Sequence, residues 1–253
     1  MEKNQESIFV KKIGNGPSVV LLHGFTQNHS CWGEIPSNME KNYQILLVDL
    51  PGHGHSKNIH ANLEQSADLV AQSLEPCYLI GYSMGARVGL HLGLRYPHLI
   101  KKMILIGPNP GLVDNDQKAQ RIKNDQKWIS IIEQYGVEEF LNRWLSQPLF
   151  KNLSPTDADI EARRSNSASG LISSLKLCGL GQQKNLWQSL HQLEMPILVV
   201  AGQKDEKFVD IGKSMVAQIG PNAQLSLIKD ATHAAHLEKP EEFTNLANSF
   251  LTK

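Results

Sequence analysis

Four short apolar runs in the first half of the chain constrain its fold more than any other feature of the sequence. Each run is apolar almost throughout, and stretches typical of helices separate one run from the next. Continuous apolar strands of this kind belong to parallel sheets whose two faces are both covered by helices. We therefore predict an α/β fold with a mostly parallel sheet. The predicted strands are residues 18–23, 43–49, 77–81 and 102–107, with residues 6–12 as a candidate strand at the leading edge.

The pattern changes in the middle of the chain, where amphipathic helical stretches and turn residues replace the apolar runs. Strand-like runs resume later, and a proline at the first turn favours a closing helix. We predict a core domain of residues 1–107 and 190–253, interrupted by a helical cap insertion of residues 108–189. The predicted cap helices are 115–135, 137–146, 156–164 and 168–177, and the later elements are strands 196–202 and 224–228 and helix 240–250.

Composition and charge exclude several classes of protein. Lys and Arg together number 25, as do Asp and Glu, so no net charge favours nucleic acid or an anionic membrane as a partner. No stretch approaches the ~18 apolar residues of a membrane span, and the N-terminus is polar. The three cysteines are far apart, which argues against a disulfide framework. We therefore expect a cytoplasmic protein without a membrane span.

A G-x-S-x-G motif occupies residues 81–85, directly after the third predicted strand and before a helical stretch. Small residues around Ser83 permit the tight turn that such a corner needs. The Ser83 hydroxyl then stands clear of the sheet, and the amino end of the next helix faces any negative charge that develops beside it. The motif alone is weak evidence, because the same pattern is often only a turn. Ser83 is a candidate nucleophile or proton carrier that needs a base.

Two later residues can supply that base and its partner. Asp205 and His233 each follow one of the two later predicted strands. Functional residues of an open parallel sheet collect beyond the carboxyl ends of its strands. The chain order Ser83, Asp205, His233 is the order expected of a hydrolase triad on such a sheet. Asp210 and Asp230 are competing carboxylates, but the conjunction of three residue types after three strands predicts a catalytic triad.

The sequence also offers two backbone donors for an oxyanion. The segment His23-Gly24-Phe25 ends the first predicted strand, and the N–H of Phe25 can point at a substrate oxygen. The N–H of Met84, the residue after the serine, is the second candidate donor. The alternative for the first segment is a simple glycine turn at the end of a strand.

His53 and His55 have the H-x-H spacing of a metal-binding pair. No acidic residue or histidine stands at a useful sequence spacing to complete a site. We interpret this segment as a structural loop and predict no metal.

Arg87 lies four residues after Ser83, about one helical turn on, so both residues lie on the same helix face. A guanidinium beneath the nucleophile suits an anionic substrate, because it makes charge-assisted and often bidentate hydrogen bonds. Spacing alone leaves Arg121 and Arg164 equally compatible with a substrate site and with a solvated surface.

Together these features resemble the α/β-hydrolase superfamily over the whole chain. The resemblance implies the same sheet, triad and cap, but this fold hosts esterases, peptidases, dehalogenases and lyases, so it does not fix the chemistry. The matching segments are residues 22–25, 49–54 and 81–85, together with Asp205 and His233.

A narrower resemblance lies outside the triad. Further segments are similar to the family of 2-succinyl-6-hydroxy-2,4-cyclohexadiene-1-carboxylate synthases of menaquinone and phylloquinone biosynthesis. They are spread over both the predicted core and the predicted cap. The segments are residues 81–87, 121–128, 144–150, 164–166, 205–208 and 233–238, with Gln182, Gln183 and Trp187.

This narrower resemblance implies a lyase without a cofactor that eliminates pyruvate from 2-succinyl-5-enolpyruvyl-6-hydroxy-3-cyclohexene-1-carboxylate. The substrate is a small molecule with three carboxylates, and Ser83 would remove a proton instead of carrying an acyl group. We interpret Arg163, the neighbour of one implied contact residue, as solvated. Substrate contacts are expected from Arg87, Arg121, Arg164, Tyr82 and Trp144.

Two other functions stay open at this point. A carboxylester or C–C bond hydrolase acting on an anionic small molecule would use the same triad through an acyl-enzyme. A non-catalytic binding module could reuse the fold, although an intact Ser–His–Asp set argues against it.

Overall fold

A seven-stranded sheet organises the protein in the computed structural model, which describes residues 7–252. In chain order the strands are β1 (Val10–Ile13), β2 (Ser18–Leu22), β3 (Gln44–Val48), β4 (Cys77–Tyr82), β5 (Ile100–Ile106), β6 (Ile197–Gly202) and β7 (Ala223–Ile228). Their order across the sheet is β1-β3-β2-β4-β5-β6-β7. β1 pairs antiparallel with β3, and the other neighbouring pairs are parallel. The predicted parallel α/β fold is confirmed.

The inner strands lie where the sequence predicts them because both of their faces are buried. Val19 and Leu22 of β2, for example, are completely buried. The edge strand differs from its prediction. β1 spans Val10–Ile13, so it overlaps the predicted strand of residues 6–12 but begins and ends later, and its middle residues Lys11 and Lys12 are exposed. Glu6, the first residue of that predicted strand, lies outside the described residues.

Helices cover both faces of the sheet. No helix within residues 7–252 combines the length and apolar character needed to cross a membrane. Short 3₁₀ turns occupy Gly54–Ser56, Pro97–Leu99, Pro148–Phe150 and Trp187–Gln192. The α-helices of the described chain are α1 (Ile35–Met39), α2 (Leu63–Ala71), α3 (Met84–Arg95), α4 (Asn115–Leu145), α5 (Asp157–Arg164), α6 (Ala168–Cys178), α7 (Glu206–Ile219), α8 (Ala235–Glu238) and α9 (Pro240–Thr252).

Two hydrophobic clusters follow from the alternation of side chains along each strand. Val20 and Leu22 of β2 face the cluster that contains residues of α2 and α3. Val19 and Leu21 face the opposite cluster, which contains residues of α1 and α9. The sheet is thereby fixed from both sides, and the loops at its carboxyl edge converge in one place.

Helices without strands fill the chain between β5 and β6. We propose that residues 108–189, called the cap segment below, form the inserted domain. α4 consists of two helical segments joined by a kink at Gly136, where φ is 76° and ψ is −179°. The bend lies between the two helices predicted at 115–135 and 137–146. Phe140 and Leu141 beyond the bend pack against Leu171 and Leu175 of α6, which gives the cap segment its own apolar cluster.

Candidate active site

Ser83 lies at the corner between β4 and α3 in a strained backbone conformation, with φ at 50° and ψ at −104°. A positive φ is unfavourable for a residue with a side chain, so its surroundings must hold it. The Ser83 N–H donates to the Ile106 carbonyl at 2.8 Å. Both motif glycines are needed here, because a Cβ at Gly81 would lie 2.7 Å from the Gly85 oxygen and a Cβ at Gly85 would overlap the Leu22 oxygen. The motif therefore builds a rigid corner with the serine at its apex.

The structure brings Ser83, His233 and Asp205 together. His233 Nε2 lies 3.1 Å from Ser83 Oγ, and His233 Nδ1 lies 3.0 Å from Asp205 Oδ2. The ring of Phe208 packs on the imidazole with centroids 4.3 Å apart. On another side Gly107 makes room for the ring, because a Cβ there would lie 2.6 Å from His233 Cε1. The imidazole is held in place to accept the serine proton while the carboxylate accepts its Nδ1 proton.

The two competing carboxylates lie elsewhere. Asp210 pairs with Lys213 at 3.1 Å and Asp230 pairs with Lys204 at 2.9 Å, both in exposed positions. The hydrogen bond from Lys204 holds the pKa of the Asp230 carboxyl below its ordinary value. Asp205 is therefore the carboxylate that orients the histidine.

A buried histidine fixes the loop after β2. His23 Nε2 accepts a hydrogen bond from the Leu50 N–H at 3.1 Å, so its proton is on Nδ1, which lies 2.8 Å from the Gly24 carbonyl. Burial holds the pKa of His23 well below its ordinary value, which keeps the ring neutral. The loop brings Phe25 into the wall of the cavity in front of Ser83, where Met84 also lies.

A cavity of about 270 Å³ opens over the triad. The core contributes Ser83 and His233 to its walls, and the cap segment contributes aromatic, aliphatic and charged side chains. Four of the lining residues are cationic, namely Arg87, Arg121, Arg163 and Lys207. The cavity thus places positively charged side chains beside the serine.

Arg87 is a buried cation whose hydrogen-bond partners are neutral. Its side chain donates from Nε to the Gln183 amide oxygen and from Nη2 to the Cys178 carbonyl. Burial lowers the pKa of Arg87 to about 10, so it stays protonated at neutral pH. No carboxylate of the described residues forms an ion pair with it. A buried charge in this state is unfavourable until an anion joins it.

Arg121 also borders the cavity, but its charge is already matched. Its Nε donates to Asp125 Oδ1 at 2.8 Å within α4. Burial raises the pKa of Asp125, while the neighbouring arginine opposes that shift. A ligand carboxylate that reaches Arg121 would therefore share it with Asp125.

The structure reverses the predicted positions of Arg163 and Arg164. Arg163 is buried and borders the cavity, with its guanidinium donating to Asp159 at 2.8 Å and to Thr26 Oγ1 at 2.7 Å. Arg164 is exposed, lies outside the cavity wall and pairs with Glu138 at 2.9 Å. Neighbouring helix positions point about 100° apart, because a turn contains about 3.6 residues. The expectations of a solvated Arg163 and of an Arg164 in the pocket were therefore both wrong about position.

The two predicted aromatic residues both border the cavity. Tyr82 is buried, and its desolvation raises the pKa of the phenol, which keeps the hydroxyl protonated. Trp144 packs edge-on against Phe25 and Trp128 at centroid distances of 5.1 and 5.2 Å. Its indole N–H is buried and has no acceptor among the described residues. A ligand can supply that acceptor.

Among the residues that border this site and that the sequence did not predict there are Lys207, Phe208 and Arg163. Lys207 and Phe208 lie in a segment that resembles the synthase family but had no predicted role, and Arg163 was expected in solvent. The signal for the first two was their position directly after the triad carboxylate, at the start of α7. For Arg163 no sequence signal distinguished it from its neighbour.

The two histidines of the H-x-H segment point in different directions. His53 is buried against His23 and Phe25, and burial lowers its pKa to about 4. His55 is exposed, and its ring packs against Phe9 and His29 instead. His53 and His55 do not form a pair that could share one ion.

Comparison with known proteins adds to this geometry. The sequence profile of the alpha/beta hydrolase fold family matches residues 17–240. The 2-succinyl-6-hydroxy-2,4-cyclohexadiene-1-carboxylate synthase of Serratia proteamaculans is 31% identical over 244 residues, which cover 93% of each chain. The structure of MenH from S. aureus is 30% identical, with a TM-score of 0.89 over 96% of this chain and 97% of the other. A thermophilic esterase from Thermogutta terrifontis, solved with malate bound, has a TM-score of 0.78 at 21% identity over 97% and 93% of the chains, so it shares the fold alone.

Proposed function

This chain belongs to the α/β-hydrolase fold family and, within it, to the 2-succinyl-6-hydroxy-2,4-cyclohexadiene-1-carboxylate synthases, and we propose that its triad works as a proton-transfer device. It is a carbon–oxygen lyase of menaquinone or phylloquinone biosynthesis built on a hydrolase scaffold. The proposed substrate is 2-succinyl-5-enolpyruvyl-6-hydroxy-3-cyclohexene-1-carboxylate, which loses pyruvate.

The observation that carries this proposal is the unpaired charge of Arg87, one helical turn from Ser83. A guanidinium that hydrogen-bonds only neutral groups inside the protein suits a substrate that brings its own carboxylate. Arg121, Arg163 and Lys207 also border this cavity. Arg121 and Arg163 already pair with Asp125 and Asp159, so a ligand carboxylate would share them with these groups. One uncompensated guanidinium beside the serine, with further cations in the cavity wall, suits an anionic ligand better than it suits a neutral ester.

The proposed reaction begins with proton transfer. His233 accepts the Ser83 hydroxyl proton through Nε2, and Ser83 Oγ takes the proton α to the succinyl ketone. Asp205 stabilises the imidazolium that forms, through its bond to Nδ1. The serine is thereby protonated again, and the electron pair of the broken C–H bond moves into an enolate.

Backbone amides then stabilise the enolate. We assign this role to the N–H groups of Phe25 and Met84, whose residues border the cavity beside the serine. Collapse of the enolate expels the enolpyruvyl group with cleavage of its C–O bond. His233 returns its proton to the leaving group, and pyruvate is released. Atoms and charge balance without an acyl-enzyme and without a cofactor.

The decisive experiment supplies the enolpyruvyl substrate and measures pyruvate with lactate dehydrogenase and NADH. We expect release by the wild-type protein and a loss of at least about a thousandfold in Ser83→Ala, as for triad nucleophiles in general. Ser66→Ala, a buried serine of α2, is a control for serine removal elsewhere.

A parallel assay with a chromogenic ester separates elimination from hydrolysis. An acyl-enzyme burst with the ester, together with Ser83-independent pyruvate release, would overturn the proposal in favour of a hydrolase. An unchanged ligand response in Ser83→Ala without any turnover would favour a binding module.

A further inference from the structure

We propose that His29, Asp49 and His55 form a binding site for Zn²⁺ at the carboxyl edge of the sheet, separate from the catalytic triad. The three residues come from two loops, one after β2 and one after β3. One ligand atom from each of them lies within 4.8 Å of the others. Sequence spacing gave His55 no partner, because His29 stands 26 residues away from it.

The carboxylate is already oriented towards both histidines. Asp49 is completely buried, and its Oδ1 accepts hydrogen bonds from the His29 N–H at 2.7 Å and its Oδ2 from the His55 N–H at 2.8 Å. His29 Nδ1 lies 2.9 Å from Oδ1 and 3.1 Å from Oδ2. Hydrogen bonds from outside the coordination sphere that hold a ligand in place are typical of protein metal sites.

The surrounding contacts keep this arrangement rigid. Gly54 has a φ of 50°, and a Cβ at this position would overlap the Asp49 carboxylate, so the loop wraps closely around that group. The ring of Phe9 packs against both imidazoles, with centroids 4.9 Å from His29 and 4.4 Å from His55. The Phe9 N–H donates to Ser56 Oγ at 2.9 Å, and this hydrogen bond fixes the backbone of the residue that carries the ring. The imidazole of His29 is thus held against the carboxylate, and the His55 ring is held near it by Phe9 and by its backbone bond to Asp49.

The donor set selects the class of ion. Two imidazoles and one carboxylate suit Zn²⁺, whereas Mg²⁺ and Ca²⁺ prefer oxygen ligands. At Zn–ligand distances of about 2.0–2.2 Å, neighbouring ligand atoms of a tetrahedral site are roughly 3.3–3.5 Å apart. His29 Nδ1 and Asp49 Oδ1, now 2.9 Å apart, would separate by about half an ångström on binding, and the exposed His55 ring, within 4.8 Å, would move closer. A water completes four-coordination, and His29 keeps its ring proton on Nε2 when Nδ1 binds the ion.

The site would join two loops that also hold the cap segment. Asn28, next to His29, donates from its side chain to the Ala162 carbonyl at 2.7 Å. Gly54, next to His55, donates its N–H to Asn166 Oδ1 at 2.8 Å. A bound ion would therefore stabilise the surface on which the cap segment rests, which is a structural role and not a catalytic one.

Isothermal titration calorimetry of the full chain without an affinity tag tests the proposal. We expect one Zn²⁺ per chain and no comparable binding of Mg²⁺. His29→Gln and His55→Gln each remove one side-chain ligand and leave the backbone bonds to Asp49, so each should weaken Zn²⁺ binding at least about tenfold. His98→Gln, at an exposed histidine outside the cluster, is the matched control and should bind Zn²⁺ like the wild type.

Thermal unfolding gives a second readout, because an ion that binds the folded state raises Tm. Zn²⁺ should raise the Tm of the wild type and of His98→Gln, and should raise it less in His55→Gln. Circular dichroism of each variant without metal shows whether it is folded. Equal Zn²⁺ affinity in the wild type and both ligand variants, or Zn²⁺ binding no tighter than Mg²⁺ binding, would overturn the proposal.

Discussion

Two neighbouring arginines of α5 differ in burial, in partners and in position relative to the cavity. Arg163 donates to Thr26 in the loop that carries Phe25, whereas Arg164 pairs with Glu138 on the surface. We predict that Arg163→Met lowers kcat/KM for pyruvate release about 10- to 150-fold, since a hydrogen bond to a charged group contributes roughly 1.5–3 kcal/mol.

Arg164→Met is the matched control for that substitution. Its ion pair is exposed and contributes little free energy, so kcat/KM should stay within about threefold of the wild type. The lactate dehydrogenase assay measures both variants. A larger loss of kcat/KM in Arg164→Met than in Arg163→Met would show that Arg164, and not Arg163, contacts the substrate.

Arg87 offers a second test at the same scale. Arg87→Met removes the buried cation, and we expect kcat/KM with the anionic substrate to fall about 10- to 150-fold. Thermal unfolding of the variant separates this loss from misfolding. An enzyme acting on a neutral ester through an acyl intermediate predicts almost no loss, so an unchanged kcat/KM would contradict the anionic-pocket proposal.

The sequence placed Arg87 beside the serine correctly but chose Arg164 over Arg163 for the cavity, and the reason for the difference is physical. Arg87 follows Ser83 by one turn of a helix whose start is fixed by the serine corner, so its direction follows from spacing. α5 is short, and both of its last residues are arginine. Which one turns inwards depends on the contacts with Asp159 and Thr26, and the second of these is a tertiary contact that no spacing encodes.

The packing of α3 on β2 leads to a prediction at the scale of the element. At Gly85 a Cβ would overlap the backbone oxygen of Leu22, which cannot move without displacing the strand. Gly85→Ala should therefore lower the free energy of unfolding by about 2 kcal/mol or more, by forcing helix and strand apart. Urea denaturation followed by circular dichroism measures the change.

Gly89 lies in the same helix and is the control for helix propensity. A Cβ there meets side-chain carbons of Leu79 and Leu105, the nearest at 3.0 Å, and these can shift. Gly89→Ala should change stability by no more than about 1 kcal/mol. If Gly85→Ala and Gly89→Ala were equally stable, the close approach of the Leu22 backbone could not be the reason why the motif has a glycine at position 85.

Helices and strands were predictable from sequence where the hydrophobic pattern of the segment matches its burial in the folded protein. The inner strands are apolar because both faces are covered, and their bounds follow from that pattern. β1 was misplaced because an edge strand with two exposed lysines lacks the same signal. The bend of α4 was predictable from Gly136, which alone among residue types adopts its backbone angles without strain.

Buried neutral histidines determine how the whole molecule should respond to acid. Burial lowers the pKa of His53 and His91 to about 4 and of His236 to about 3, whereas an unfolded histidine titrates near 6.5. Below that pH the unfolded chain binds more protons, so stability is fully present above about pH 6.5 and is lost as pH falls towards 4. The low pKa of each of these histidines should lower the free energy of unfolding by about 2 kcal/mol when the pH falls from 7 to 5.

Urea denaturation at several pH values measures this loss. His91→Gln removes one of the buried groups and should reduce the pH-dependent loss by about 2 kcal/mol, whatever its effect at pH 7. His98→Gln, at an exposed position, should leave the pH dependence unchanged. Identical curves for the wild type and His91→Gln would contradict the burial argument.

The convergence of His29, Asp49 and His55 shows what sequence alone could not reach. Each of these residues lies in a loop that follows a predictable strand. Whether the three side chains come close together depends on the path of the two loops, which the sequence does not give. The triad was easier, because three strand ends along one sheet edge already imply proximity.

The neutral surroundings of Arg87 have a consequence for how the enzyme discriminates between ligands. Any small dicarboxylate in its environment can relieve that uncompensated charge, so attraction by charge alone identifies no particular metabolite. Recognition then rests on the outline of the cavity and on the fixed direction of its donors, such as the Trp144 indole N–H. Ordinary organic acids and polyanionic buffers become competitors, and they would occupy the resting enzyme and shield it from heat as a substrate does.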